Sequence, residues 1–256
     1  MTIKMDPEDT AKLPSLLYNA HHQGHLEDIP FWLEMAARQG DPILELGCGT
    51  GRTLIPLDLE GYQVYGLDID FGMLETLISK QLSNSIRPLK VFQADASAFR
   101  LAVEFSLVLM PCNIFSSFSE EKRQAILKSV SAHLSVGGRF VVSVPNPSLL
   151  ESLPTCGENE MEEVIQHPVT GNPVQVINSW ERSGQVFKLN WHYDHLLPDG
   201  IVDRVTIKIN HQIIHVDVYR DEFLRAGMLL SNVYGDFDFS EYRPDSTNLI
   251  LIATKN

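Results

Sequence analysis

Residues 45–52, Glu45-Leu46-Gly47-Cys48-Gly49-Thr50-Gly51-Arg52, follow the apolar pair Ile43-Leu44 with a carboxylate, three alternating glycines and a cation. Glycines let a backbone turn sharply and come close to a ligand. A helix that starts just after them points unpaired N–H groups at whatever polar group sits there. The spacing is Gly-x-Gly-x-Gly, whereas a dinucleotide fingerprint places its third glycine one residue later, where Arg52 stands. The loop therefore points to an adenosine ligand that carries something other than a pyrophosphate. Further along, Asp68 closes a second apolar run, where a carboxylate can accept two hydrogen bonds from a ribose diol; Ile69 follows it. Asp95, beside small Ala96, is placed to meet an adenine amino group. Met110-Pro111-Cys112-Asn113 offers an extended, proline-containing backbone whose carbonyl could face a ligand ammonium.

These residues need strands whose carboxyl ends converge, because ligands of open α/β sheets sit in the crevice there. The chain supplies the elements in order. A helix is expected over 28–39, with Asp28 as its cap, Pro30 in its first turn and Gly40 after its end. Strands are expected at 42–46, 63–68, 89–92, 105–110 and 139–144. Helices fall between them at 53–60, at 73–82, and after Ser119 to a close at Gly137-Gly138. Strands that are apolar on both faces and alternate with helices imply a parallel sheet covered on both sides. From about 160 to 219 the helical period gives way to turn signals, Thr170-Gly171-Asn172-Pro173, Ser183-Gly184 and Pro198-Asp199-Gly200. The intervening runs, including the alternating stretch Val205 to Val218, read as an antiparallel meander. A helix at 221–226 and strands at 229–234 and 248–253 then resume the α/β pattern.

Several residues carry a second reading. Asp68 competes with Asp70 as a helix cap. Asp95 can cap a turn instead of meeting adenine. Cys48 is read as a small loop filler, since no histidine is placed to activate it. Arg52 can reach a ligand carboxylate or tie down a loop.

Taken in order, Glu45-Leu46-Gly47-Cys48-Gly49-Thr50-Gly51, Gly66-Leu67-Asp68, Gln93-Ala94-Asp95 and Leu134-Ser135-Val136-Gly137-Gly138-Arg139-Phe140 resemble the motifs of class I S-adenosylmethionine-dependent methyltransferases over residues 40 to 145. The resemblance implies an α/β fold: a doubly wound, Rossmann-like seven-stranded sheet with its last strand antiparallel, plus the inserted antiparallel β meander. It implies four segments: a helical lid at 1–40, the S-adenosylmethionine-binding core at 41–150, the β insertion at 151–219, and the C-terminal completion of the sheet at 220–256. It places the cofactor S-adenosyl-L-methionine on Tyr18, Glu45, Gly47, Cys48, Gly49, Gly51, Arg52, Asp68, Ile69, Asp95, Ala96 and Met110, with Tyr18 touching the donor from the lid. The expected reaction is in-line methyl displacement onto a nitrogen or oxygen of a small molecule, driven by proximity and desolvation. The competing readings are a cofactor-binding module without turnover and an NAD-dependent oxidoreductase.

No dedicated catalytic residue is compulsory for this chemistry, and His192 and His215 are the candidates for moving a proton. In the insertion, Trp191, Tyr193 and His195 alternate with Asn190, His192 and Asp194. His211, Ile213, His215, Asp217 and Tyr219 would share the opposing face. These faces can wall an acceptor pocket, pack the insertion, or form the seam of a homodimer. The histidine–carboxylate groupings are read without a metal, since no HxxxH helix or CxxC pair is recognised.

Bulk properties narrow the partners. The charge is −13, from 20 Lys and Arg against 33 Asp and Glu, and no basic cluster exceeds Glu121-Lys122-Arg123. That field disfavours a nucleic-acid substrate. Without an apolar signal-peptide core or an apolar run of membrane-spanning length, and with three scattered cysteines, a cytoplasmic protein with no membrane partner is expected.

Overall fold

The computed structural model describes residues 7–82 and 88–256. In chain order these form α1 (Pro7–His22), α2 (Ile29–Gln39), β1 (Ile43–Leu46), α3 (Leu54–Leu59), β2 (Val64–Asp68), α4 (Phe71–Leu82), β3 (Lys90–Gln93) and β4 (Phe105–Met110). They continue with a 3-10 turn (Ile114–Ser117), α5 (Glu120–His133), β5 (Leu134–Pro145), α6 (Pro147–Ser152), β6 (Cys156–Gln166), β7 (Pro173–Ser183), β8 (Val186–Leu196) and β9 (Val202–Gln212). α7 (Val216–Arg225), β10 (Met228–Tyr234) and β11 (Asn248–Lys255) complete the chain. Two compact units divide these elements. One joins the residues up to Leu26 with Leu153–His211; the other joins Glu27–Ser152 with Gln212–Asn256.

The larger unit is built on a seven-stranded sheet ordered β3-β2-β1-β4-β5-β11-β10. β1 pairs in parallel with both β2 and β4, whereas β11 runs antiparallel to β5 and to β10. All four residues of β1 are buried, as a central parallel strand requires. Alternate residues feed two cores. Ile43, Leu107, Leu109, Val141 and Ile250 meet Trp32, Met35, Leu57 and Leu77 of α2, α3 and α4. Leu44, Val108, Met110, Phe140 and Val142 meet Ile126, Leu127, Tyr219 and Phe223 of α5 and α7. Each such side chain contributes about 1.5–3 kcal/mol by leaving water, so the pleat alone commits the sheet to helices on both faces. The doubly wound sheet with its last strand antiparallel is thus the observed fold.

Three local expectations are corrected. α5 does start at Ser119, whose side chain accepts from the Lys122 N–H, but it ends at His133, not at Gly137-Gly138. Leu134 is already extended, and the glycines lie in an irregularity of β5, before Arg139 pairs with Leu107. Second, the stretch Val205 to Val218 is not one strand. β9 stops at Gln212, and α7 takes Asp217 and Tyr219. Tyr219 and Phe223, four apart, bury one face of that helix against the sheet; this packing overrides the β-branched run Ile213 to Val218. Third, the segment after β4 is not extended. Cys112 and Asn113 are successive left-handed residues, with φ of 62° and 60°, leading into the 3-10 turn.

The smaller unit is a four-stranded antiparallel sheet, β6-β7-β8-β9, crossed by α1. Leu13 and Leu17 of α1 pack on Val174, Val176 and Tyr193, with Trp191 beside them. Among the described residues no helix is long and apolar enough to cross a membrane.

Candidate functional site

In the larger sheet the strand order reverses between β1 and β4, which opens a crevice outside their carboxyl ends. The glycine loop enters it directly from β1. The Gly47 and Cys48 N–H groups both donate to the Leu67 carbonyl, at 2.7 and 3.1 Å, and so stitch the loop to the end of β2. Gly51 has φ of +83°, and a Cβ there would come within 2.3 Å of Leu77 Cδ1. A Cβ on Gly47 would come within 2.7 Å of Ile114 Cδ1. Gly49 differs: a Cβ there would meet nothing within 4 Å. The first and third glycines thus pack closely against side chains, while the middle one faces open space.

Asp68 fixes this loop. Its Oδ2 accepts from the Gly49 N–H at 2.7 Å and its Oδ1 accepts from the Asp70 N–H at 2.9 Å. Asp70 in turn accepts from Met73 N–H at 3.1 Å, so the helix cap is Asp70 and Asp68 serves the crevice. Burial raises the Asp68 carboxyl above its ordinary range, against the two backbone hydrogen bonds. Glu45, at the end of β1, is 2% exposed. Its Oε2 is buried without a hydrogen-bond partner, and desolvation pushes its carboxyl well up.

Arg52 turns away from an open role and ties the loop down. It forks onto Asp28, Nη1 to Oδ1 at 2.5 Å and Nη2 to Oδ2 at 2.7 Å, and Nη2 also reaches Cys112 Sγ at 3.1 Å. Asp28 accepts from Trp32 Nε1 at 2.8 Å as well, and makes no side-chain cap bond to α2. One guanidinium therefore joins the glycine loop, the start of α2 and the left-handed turn after β4. Asp28 is spent on this cation, and the carboxyls of Glu45 and Asp68 remain beside the loop as hydrogen-bonding groups that a ligand can meet.

The remaining expected residues divide. Cys48 is 3% exposed and its Sγ packs over Gly66, so it is a filler of the loop. Met110 is 1% exposed within the core, which leaves only its backbone for a ligand. Ile69 is 68% exposed at the end of β2, and Ala96 is half-buried. Asp95 accepts from Ser97 N–H and Oγ, both at 2.8 Å, and pairs with Lys122 Nζ at 2.5 Å. That lysine and the serine hold its carboxyl down, to about 2.

Tyr18 and His192 belong to the smaller unit. Tyr18 stacks on His22 with ring centroids 4.1 Å apart. His192 Nδ1 meets Thr206 Oγ1 at 2.9 Å and its Nε2 meets Ser179 Oγ at 3.3 Å, and burial lowers its pKa. His215 instead stands in the larger unit as the residue before α7, with Nε2 3.1 Å from Glu151 Oε1. The two histidines therefore belong to different units. Tyr193, on the aromatic side of β8, is fully buried under α1, which favours the packing reading of that face over a seam or a pocket.

Two site residues escape sequence reasoning. Asp28 looks like a helix cap until its partner is seen. Asn113 has a buried Oδ1 without a partner and a φ of +60°; the available signal was that asparagine tolerates the left-handed region.

Comparison with known proteins fits this geometry. Residues 43–138 match the family described as "Methyltransferase domain". A relative, the tRNA (guanine(10)-N2)-dimethyltransferase of Methanothermobacter thermautotrophicus, is 33% identical over 122 residues, covering 45% of this chain and 36% of that protein. The chain spans less than half the length of this and three further curated relatives it matches. An S-adenosylmethionine-dependent methyltransferase from Clostridium acetobutylicum shares the fold with a TM-score of 0.79 at 13% identity, covering 94% of this chain and 96% of that one. The sugar N-methyltransferase KedS8 from a Streptoalloteichus species gives 0.74 at 17% identity, covering 100% and 97%.

Proposed function

We propose that this chain, whose residues 43–138 match a methyltransferase domain, is a class I S-adenosylmethionine-dependent methyltransferase that moves the donor's methyl group to a nitrogen or oxygen of a small molecule in the cytoplasm. The observation that carries the reading is the crevice at the glycine loop: an open-faced Gly49, a loop pinned by Asp68, and a buried Glu45 oxygen that lacks a partner. These residues fit S-adenosyl-L-methionine. The cofactor supplies a methyl group already activated on a cationic sulfur, and the protein's part is to hold and align.

Each residue has a role within that limit. The free lone pairs of the Asp68 carboxylate accept from the ribose hydroxyls. Exposed Ile69 covers an edge of the adenine, and the turn at Asp95–Ala96 borders it. Gly47 to Gly51 give backbone room to the amino-acid portion, and the Glu45 carboxyl offers its unpartnered oxygen to a donor at that end. Arg52 keeps the loop and the turn after β4 in register. Alignment and exclusion of water then supply the acceleration, without a fixed base.

For the acceptor, the charge of −13 supports a small molecule over a polyanion. The fold shared with a sugar N-methyltransferase supports an amine of that kind, while the tRNA-modifying relative keeps RNA as the competitor to test. Calorimetry with S-adenosylhomocysteine and with NADH, followed by transfer of labelled methyl to a panel of amino sugars, simple amines, phenols and bulk tRNA, decides between them. Label in a small molecule supports the proposal. Label in tRNA alone, no turnover on any acceptor, or binding of NADH without the homocysteine would overturn it.

A further inference from the structure

The smaller unit contains a cluster of potential metal ligands of its own. His21, His25 and Glu163 each bring one potential ligand atom to a common point, all within 4.8 Å of one another. His21 Nε2 lies 3.5 Å from Glu163 Oε1 and 3.5 Å from Glu162 Oε1. Two of these atoms, His21 Nε2 and Glu163 Oε1, are buried without a hydrogen-bond partner.

The backbone explains how two successive glutamates reach one point. Neighbours on a regular strand face opposite sides. β6 shifts register against β7 between Met161 and Glu163, and such a bulge re-aims the side chains beside it. The surroundings hold the groups in place. Tyr193 Oη is 3.0 Å from His21 Nδ1, which fixes the ring and leaves Nε2 directed at the glutamates. Asn178 Nδ2 donates to Glu162 Oε2 at 3.2 Å. Trp191 stands edge-on to His21, with centroids 4.8 Å apart.

We propose that His21, His25 and Glu163, with Glu162 as fourth ligand, form a binding site for a divalent transition metal of the zinc class, clamping the end of α1 to the bulge of β6. Two imidazoles and two carboxylates make a ligand set that suits zinc, cobalt or nickel better than calcium or magnesium. Metal–ligand bonds of about 2.0–2.1 Å place tetrahedral ligands roughly 3.3–3.5 Å apart, which is the spacing already present around His21 Nε2. Hydrogen bonds from Tyr193 and Asn178 to the far sides of two ligands are what a metal site uses to orient them. As it stands the cluster is His21, His25 and Glu163, and Glu162, 3.5 Å from His21 Nε2, turns in as the fourth ligand to close the site.

The test is titration of the tag-free full chain, stripped with a chelator, with zinc by calorimetry and with cobalt by visible absorption. One equivalent is expected, with the ligand-field bands of a four-coordinate ion, and a zinc-dependent rise in melting temperature. His25→Ala, which alters an exposed side chain and leaves the fold intact, and Glu163→Gln should each weaken zinc at least tenfold; Tyr193→Phe should weaken it about tenfold. His215→Ala, in the other unit, should leave it unchanged. Binding that is absent, exceeds one equivalent without a tight phase, or survives both His25→Ala and Glu163→Gln overturns the site.

Discussion

Replacing Asp68 with alanine removes a carboxylate that organises the crevice from both oxygens. Oδ2 holds the Gly49 N–H at 2.7 Å and Oδ1 holds the Asp70 N–H at 2.9 Å. A hydrogen bond to a charged group is worth about 1.5–3 kcal/mol where the freed partner stays dry. Here both donors can turn to water, because Asp70 is exposed and the space before Gly49 is open. The loss of folding stability is therefore expected near the bottom of that range, about 1–2 kcal/mol. Donor affinity suffers more directly, since the ribose contacts and the fixed loop go together; about 1–3 kcal/mol corresponds to roughly 5- to 150-fold weaker binding. Asp68→Asn keeps a carbonyl that can accept from Gly49 while losing the charge, so it should fall between wild type and alanine. Calorimetric titration with S-adenosylhomocysteine measures the affinities, and urea unfolding of the same preparations measures the stabilities. If both variants bind within twofold of wild type while remaining folded, Asp68 is no part of the cofactor site and the ribose assignment fails.

Other perturbations probe separate links. Arg52→Ala strands Asp28, whose side chain is 10% exposed, with only Trp32 as donor; a stability loss of about 2–4 kcal/mol is expected in urea denaturation, and a change below about 0.5 kcal/mol would contradict the tie. Gly51→Ala combines a left-handed backbone with a clash against Leu77 and should cost about 2–5 kcal/mol of stability. Gly49→Ala meets open space and should cost only about 1–2 kcal/mol while weakening the donor; the reverse order of stabilities would refute the assignment of the bare middle glycine. Burial holds the His211 pKa down at about 4 against an unfolded value near 6.5. Below pH 6.5 the unfolded chain takes up a proton that the folded chain refuses until about pH 4, so stability falls across that window, by about 2 kcal/mol from pH 7 to pH 5. Burial holds His21, His22 and His167 near the same value and they add to the slope, so His211→Gln should lessen it by about 2 kcal/mol in urea stabilities compared at the two pH values, and an unaltered slope would exclude this histidine as a source.

Much of the larger unit was legible because burial on both faces of a parallel strand forces a continuous apolar run, and Ile43–Leu46 and Phe105–Met110 are such runs. The legibility failed where tertiary contact reverses a local preference. Ile213 to Tyr219 has the composition of a strand, yet Tyr219 and Phe223 gain more by packing as a helix face on the sheet. His21 and His25 stand four residues apart, a spacing visible in the chain, but the carboxylates they meet come from a strand far away in sequence, re-aimed by a bulge that no local pattern announces.

For the crevice the division is sharper. The glycine spacing, the carboxylate closing each of the first two strands and the order of the motifs were set by the sequence, because they depend on residue type at the ends of elements whose periodicity is local. Which polar group meets which was decided only by the tertiary structure. Arg52 faced two partners of equal standing in one dimension, a ligand or a loop, and three-dimensional proximity to Asp28 resolved it. Asp70 already read as the better cap of the pair, and only the folded structure brought the Gly49 N–H within reach of Asp68 and the Met73 N–H within reach of Asp70. Hydrogen bonds and ion pairs act over about 3 Å, and only folding brings residues distant in sequence that close.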